Sequence, residues 1–268
     1  MKKDLIAVIQ LHKTSAGTIR NIMEQVRYFQ ARDCEVHLIS EVFNPEIIKG
    51  YDLKIHKTFP WIKKTGRKRR WWFDLQVKRL QKKHHFDLII GHGDTTKQNV
   101  LCLHNSVHLA SEHIHNKKLE SKHEMYQTHT PLLGGFPNTF EFMISNSNLM
   151  RNDTAKRFKV PQDKIKTIYP SYEDHRFVQV NEVTRKRLRD KYGFNKVTIG
   201  LITSGNFKKR GVDIFLKALE ELQKNTEISY EVMIVGKDKN DELQKYINDH
   251  GIKNINFMPV ISKVEEYF

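Results

Sequence analysis

The sequence predicts an α/β protein made of two doubly wound domains, and three observations predict it. Nine apolar runs of strand length recur along the 268 residues. Several are continuous rather than alternating, which suits parallel strands covered on both faces. The segments between them carry apolar residues at helical spacing, the pattern of strands that alternate with crossover helices.

In chain order, Leu5–Ile9 predicts the first strand. Ile19, Ile22, Met23, Val26 and Phe29 then repeat with the period of an amphipathic helix, and Val36–Ile39 closes a first βαβ unit. Asp87–Ile90, Val100–Leu103, Phe142–Ser145 and Ile165–Ile168 predict four further strands. The stretch from Tyr169 to Gly193 holds Pro170, many charges and no strand pattern, so it predicts the connection between domains. The boundary falls near residue 175, giving domains 1–175 and 176–268. A second βαβ unit follows: a strand at Val197–Thr203, a helix marked by Val212, Phe215, Leu216, Leu219 and Leu222, and a strand at Tyr230–Val235. Gly251 is placed to end the next helix before a last strand at Ile255–Met258.

Hydrophobic residues make up 38% of the chain and the mean hydropathy is −0.61, the balance of a folded globular protein. The first apolar run is far too short to cross a bilayer, and no signal-peptide cleavage pattern follows it. A cytoplasmic protein is therefore expected. Cys34 and Cys102 show no paired spacing and are expected as buried free thiols. The net charge of +15 calls for an anionic partner: nucleic acid, an anionic membrane surface or a phosphorylated substrate.

Two turns could hold such a group. After the first strand, Lys13 to Gly17 form a small-residue turn entering a helix, where backbone N–H groups and the helix dipole can meet a phosphate or sugar. A tight βα turn that needs a glycine accounts for it equally well. After the strand at Val197, the run Ser204, Gly205, Asn206, Phe207, Lys208, Lys209, Arg210, Gly211 leads into the next helix. Cations at a helix N-terminus oppose the dipole, so a structural reason for them is hard to find, and they can neutralise a diphosphate without a metal.

These residues carry a family resemblance. Gly200 to Gly236, GLITSGNFKKRGVDIFLKALEELQKNTEISYEVMIVG, resembles the donor-domain opening of retaining glycosyltransferases of the GT4 group, whose fold is GT-B, two Rossmann-like domains. Gly17 to Ser40 is similar to the family's glycine loop, first helix and second strand. Phe142 to Phe177 is similar to its passage before the domain crossover, and VLCLHN at Val100–Asn105 to its strand ending in a histidine. Within the group, lipopolysaccharide-core glucosyltransferases are the most similar. The resemblance implies that Lys209 and Arg210 bind the donor's pyrophosphate, in the cleft that two such domains form, and stabilise the charge that builds on it. It also implies that His104 contacts the donor sugar, and that Gly17, Ser204, Gly205, Asn206 and Gly236 line the donor site. The acceptor would attack from the face the diphosphate leaves, with no metal, and UDP-glucose is the donor suggested. His92 and Asp94, in the turn after Asp87–Ile90, are second candidates, since doubly wound sheets present ligand groups there. His108, His113 and His115 fit no common zinc spacing and are expected to be exposed. Family members continue with a pair of glutamates seven residues apart, for which no room remains before Phe268, so the second domain is expected to be partial.

The run Lys63, Lys64, Arg67, Lys68, Arg69, Arg70 leads directly into Trp71, Trp72 and Phe73. Lys68, Arg69, Arg70, Trp71 and Trp72 suit an anionic membrane surface, with cations at headgroups and indoles at the boundary. The expected protein is thus peripheral at the inner face of the cell membrane, near a lipid-linked or saccharide acceptor. The same residues could bind nucleic acid, although no nucleic-acid motif accompanies them. A non-catalytic nucleotide- or polyanion-binding module is the remaining alternative.

Overall fold

The computed structural model describes residues 4–10, 16–62, 67–119, 132, 135–172 and 176–267. The chain divides into two compact units, Met1–Pro170 and Ser171–Phe268.

In the first unit the order is β1 (Leu5–Gln10), α1 (Ala16–Gln30), β2 (Glu35–Ser40), α2 (Pro45–Ile48), β3 (Leu53–Lys57), α3 (Arg67–His84), β4 (Leu88–Gly91), β5 (Val100–Leu103), α4 (Val107–His115), β6 (Phe142–Ser145), α5 (Asn148–Phe158) and β7 (Ile165–Thr167). The strands form one sheet in the order β3-β2-β1-β4-β5-β6-β7, with every neighbouring pair parallel. Successive side chains point to opposite faces, and both faces are covered. Val8 packs under α1 with Ile22, Met23 and Val26, while Ala7 packs under α3 with Phe73 and Val77. Strand order reverses between β1 and β4, so the carboxyl ends of those strands lie side by side at the place where doubly wound sheets bind ligands.

The second unit runs α6 (Glu182–Tyr192), β8 (Val197–Ile202), α7 (Val212–Asn225), β9 (Tyr230–Val235), α8 (Asp241–Asp249) and β10 (Ile255–Met258). Its parallel sheet has the order β10-β9-β8. The apolar stripe of α7, through Val212, Leu216 and Leu219, covers Val232 and Ile234 of β9. Gly251, at φ +60°, sits in the left-handed conformation that ends α8.

Four sequence expectations need correction. β3, LKIHK, is a strand that periodicity does not reveal, because a short edge strand carries lysines that discourage pairing with another chain. The stretch from Tyr169 to Gly193 contains α6, capped by the Asn181 side chain and ended by Gly193. Cys34 precedes β2 and is half-buried, whereas Cys102 is buried in the sheet. His108 is buried against Phe158, while His113 and His115 are exposed as expected.

Candidate active site

Two constellations follow from these folds, one in each unit.

In the first unit, the polar groups gather where strands end. Glu41 follows β2, His92 and Asp94 follow β4, His104 follows β5 and Asn146 follows β6. All but His104 and Asn146 are buried. Helix α3 supplies partners for Glu41 and Asp94 from Arg69 and Arg70, and Asp74, one turn on from Arg70, faces the loop after β4. Arg70 pairs with Asp94, and Arg69 pairs through two nitrogens with Glu41. Asp74 accepts from the Thr95 hydroxyl at 2.8 Å, the Thr96 amide at 2.8 Å and the Thr96 hydroxyl at 2.7 Å. The loop after β4 is thereby tied to the helix. Charged groups so deeply buried are stable only when paired.

Within this frame the imidazole planes of His92 and His104 lie 3° from parallel and the rings meet edge to edge, with His92 Nδ1 2.7 Å from His104 Nε2. Burial holds both rings below the usual imidazole range; the neighbouring His104 lowers His92 further, whereas Asp94 pulls His104 partly back. Both are neutral at physiological pH. The Asn146 amide donates to the His104 carbonyl at 3.1 Å and fixes the backbone from which the ring projects. His104 is half-buried, so its ring borders both the core and the carboxyl edge of the sheet.

Gly17 is exposed in the first turn of α1 rather than in the turn before it, and nothing lies within 4 Å of a Cβ built there. Lys13, Thr14 and Ser15 lie outside the described residues.

In the second unit, the loop from β8 to α7 is a rigid turn with a solvated outer rim. Thr203 bonds the Val235 carbonyl through both its amide, at 3.0 Å, and its hydroxyl, at 2.8 Å, and its hydroxyl oxygen accepts from the Gly205 amide at 3.1 Å. Asp238, just beyond β9, accepts from the Phe207 amide at 2.6 Å and also from the Asn206 amide; these bonds hold its carboxyl below the usual carboxylate range. Asn206, at φ +61°, bonds the Lys209 amide through its side chain and the Arg210 amide through its carbonyl. Phe207 turns inward against Phe257 and Gly236. Ser204, Lys208, Lys209 and Arg210 are exposed, directly ahead of the first turn of α7. The backbone is thus satisfied locally while the cationic ends stay available to an anion. Gly205, at φ +121°, is buried against Asp238 and Lys237, so it serves the turn by conformation and close approach.

The proposed membrane residues divide. Lys68 and Trp71 are exposed, but Arg69 and Arg70 point to Glu41 and Asp94, which corrects the expectation that they reach headgroups. Trp72 is half-buried and donates to the Phe59 carbonyl at 2.7 Å. Trp61 lies against it at 5.2 Å, leaving an aromatic surface of Phe59, Trp61 and Trp71 with each residue about 60% exposed or more. Lys63, Lys64 and the Arg67 side chain lie outside what the structure describes.

Sequence reasoning missed Gln25, Glu41, Asp74, Thr203 and Asp238. Glu41 and Asp238 did leave a signal, an acidic residue within three positions of the end of an apolar strand. Gln25 left none, since one polar residue on a helix is unremarkable until its neighbours are known.

The model of Glycosyltransferase Family 4 matches residues 16–176, more than half of the chain. Among solved structures, WaaG, a glycosyltransferase involved in lipopolysaccharide biosynthesis, superposes with a TM-score of 0.67 at 16% identity, covering 98% of this chain and 72% of that one. A glycosyltransferase from Rickettsia africae gives a TM-score of 0.67 at 14% identity, covering 100% and 71%. Anabaena Alr3699/HepE, solved with UDP and glucose, gives 0.62 at 14% identity, covering 99% and 71%. No curated protein matches the sequence.

Proposed function

The chain belongs to glycosyltransferase family 4, and from that membership we propose that it moves a sugar from a nucleotide-diphosphate donor to a saccharide or lipid-linked acceptor with retention. The fold is the α/β GT-B type of the solved glycosyltransferases it resembles. The observation that carries the reading is the braced turn at Asn206–Gly211, whose exposed Lys209 and Arg210 precede α7 where structure alone gives cations no advantage. These two side chains neutralise the diphosphate and stabilise the charge it gains as the glycosidic bond breaks. Ser204 and the Gly205 region contact the donor beside these cations, and His104 takes a sugar hydroxyl. UDP-glucose is the donor to test first, because HepE has been solved with it.

A ligand that binds only the folded chain raises its stability by RT ln(1 + [L]/Kd), about 2.7 kcal/mol at a hundredfold excess over Kd. UDP-glucose or UDP is therefore expected to raise the melting temperature. No shift with any nucleoside diphosphate or its sugars at millimolar concentration would remove the donor assignment.

We propose further that the chain binds an anionic membrane surface through Phe59, Trp61, Trp71 and Lys68. Exposed indoles favour the headgroup boundary, and a net charge of +15 favours anionic lipid. Among the described residues, no helix is long and apolar enough to cross a membrane. In vesicle sedimentation, Trp61→Ala with Trp71→Ala is expected to reduce binding to anionic liposomes several-fold. Equal binding by variant and parent, or by neutral and anionic vesicles, would end this proposal.

A further inference from the structure

A hydrogen-bonded chain crosses the first unit from its core to its carboxyl edge. Gln25 Nε2, on α1, donates to Cys102 Sγ on β5 at 3.5 Å. Gln25 Oε1 stands 3.2 Å from His92 Nε2, and His92 Nδ1 stands 2.7 Å from His104 Nε2. An amide oxygen only accepts, so the proton in the second link belongs to His92 Nε2. A neutral imidazole has one ring proton, so His92 Nδ1 is bare and must accept. The third proton therefore belongs to His104 Nε2, and His104 Nδ1 is left bare. Burial supports the premise of neutral rings, and the direction of the first link rests on its geometry, with Gln25 Nε2 donating to the Cys102 sulfur.

We infer that Gln25 and His92 are positioning residues that lock His104 in its Nε2–H tautomer, so that Nδ1 is left purely as a hydrogen-bond acceptor. Such a nitrogen takes a sugar hydroxyl, which can donate, and refuses carboxylate or phosphate oxygen, which cannot. This inference rests on the proposed sugar contact of His104, but the tautomer itself does not.

The test has two arms. Two-bond proton–nitrogen NMR correlations on the ligand-free chain are expected to show bare Nδ1 and protonated Nε2 in both His92 and His104. In Gln25→Leu the acceptor of His92 is gone, and His104 is expected to become a mixture of tautomers. Affinity for UDP-glucose should then fall about tenfold, the scale of one hydrogen bond, while affinity for UDP stays unchanged. A protonated Nδ1 on His104 in the parent protein, an unaltered tautomer in Gln25→Leu, or equal losses for UDP and UDP-glucose would overturn the inference. A chain that binds no nucleotide sugar would instead refute the donor assignment, and the parent's ring protons would still decide the relay.

Discussion

Replacing Lys209 and Arg210 together by alanine is expected to weaken binding of UDP and UDP-glucose by at least a hundredfold and to abolish their thermal stabilisation of the chain. Hydrogen bonds to charged groups contribute about 1.5–3 kcal/mol each, so loss of two amounts to roughly 10²- to 10⁴-fold if they act independently. The fold should survive, because both residues serve the turn through their backbones. The Lys209 amide bonds the Asn206 side chain and the Arg210 amide bonds the Asn206 carbonyl, and alanine retains both bonds. Among the described residues neither side chain is held in an ion pair, and both are exposed. Calorimetry with UDP, alongside thermal unfolding of the ligand-free variant, separates the two effects. A double variant that unfolds like its parent and still binds UDP with parental affinity would take these cations out of the site.

The second large effect is expected at Gly236, and it concerns stability. A Cβ at this position would stand 2.2 Å from Phe207 Cε1, 2.8 Å from its Cζ and 2.9 Å from the Thr203 hydroxyl. None of these can move freely. The Phe207 ring is 5% exposed and packed on Phe257, its amide is held by Asp238, and the Thr203 hydroxyl is bonded on both sides. Overpacking of this kind costs about 1–3 kcal/mol and sometimes more. In a unit of roughly 100 residues, each kcal/mol lowers the melting temperature by about 4–8 °C. Gly236→Ala should therefore lower the melting temperature of the second unit by about 4–24 °C. The conflict is specific, so Phe207→Leu in the same chain should recover part of the loss, a non-additivity that a double-mutant cycle measures. Independent, additive losses would show that the added methyl meets no aromatic ring. Gly236 thus serves the turn between β8 and α7 through packing, by admitting the ring from which that turn is hung.

These predictions rest on features of unequal legibility. The strands of both units other than β3, and helices α1 and α7, follow from local periodicity, because covering both faces of a parallel sheet imposes a pattern that adjacent residues already display. The basic turn was equally legible, since a cluster of cations before a helix conflicts with the dipole wherever the helix lies. The charged run ending in Arg69 and Arg70 was not. In sequence it suits a membrane surface, yet Glu41 and Asp94 turn two of its guanidinium groups inward from 28 and 24 residues away.

What the sequence alone determined is the order and type of most elements, the placing of the cations ahead of α7 and the resemblance to the family. Each depends on interactions between near neighbours in the chain. Only the tertiary structure decided the strand order, the pairing of His92 with His104 and the reach of Gln25 to His92 across 67 residues. The physical reason is that a buried polar group must find its partner in space. Which partner it finds depends on where strands end in the folded sheet, a distance that the spacing of residues along the chain does not encode.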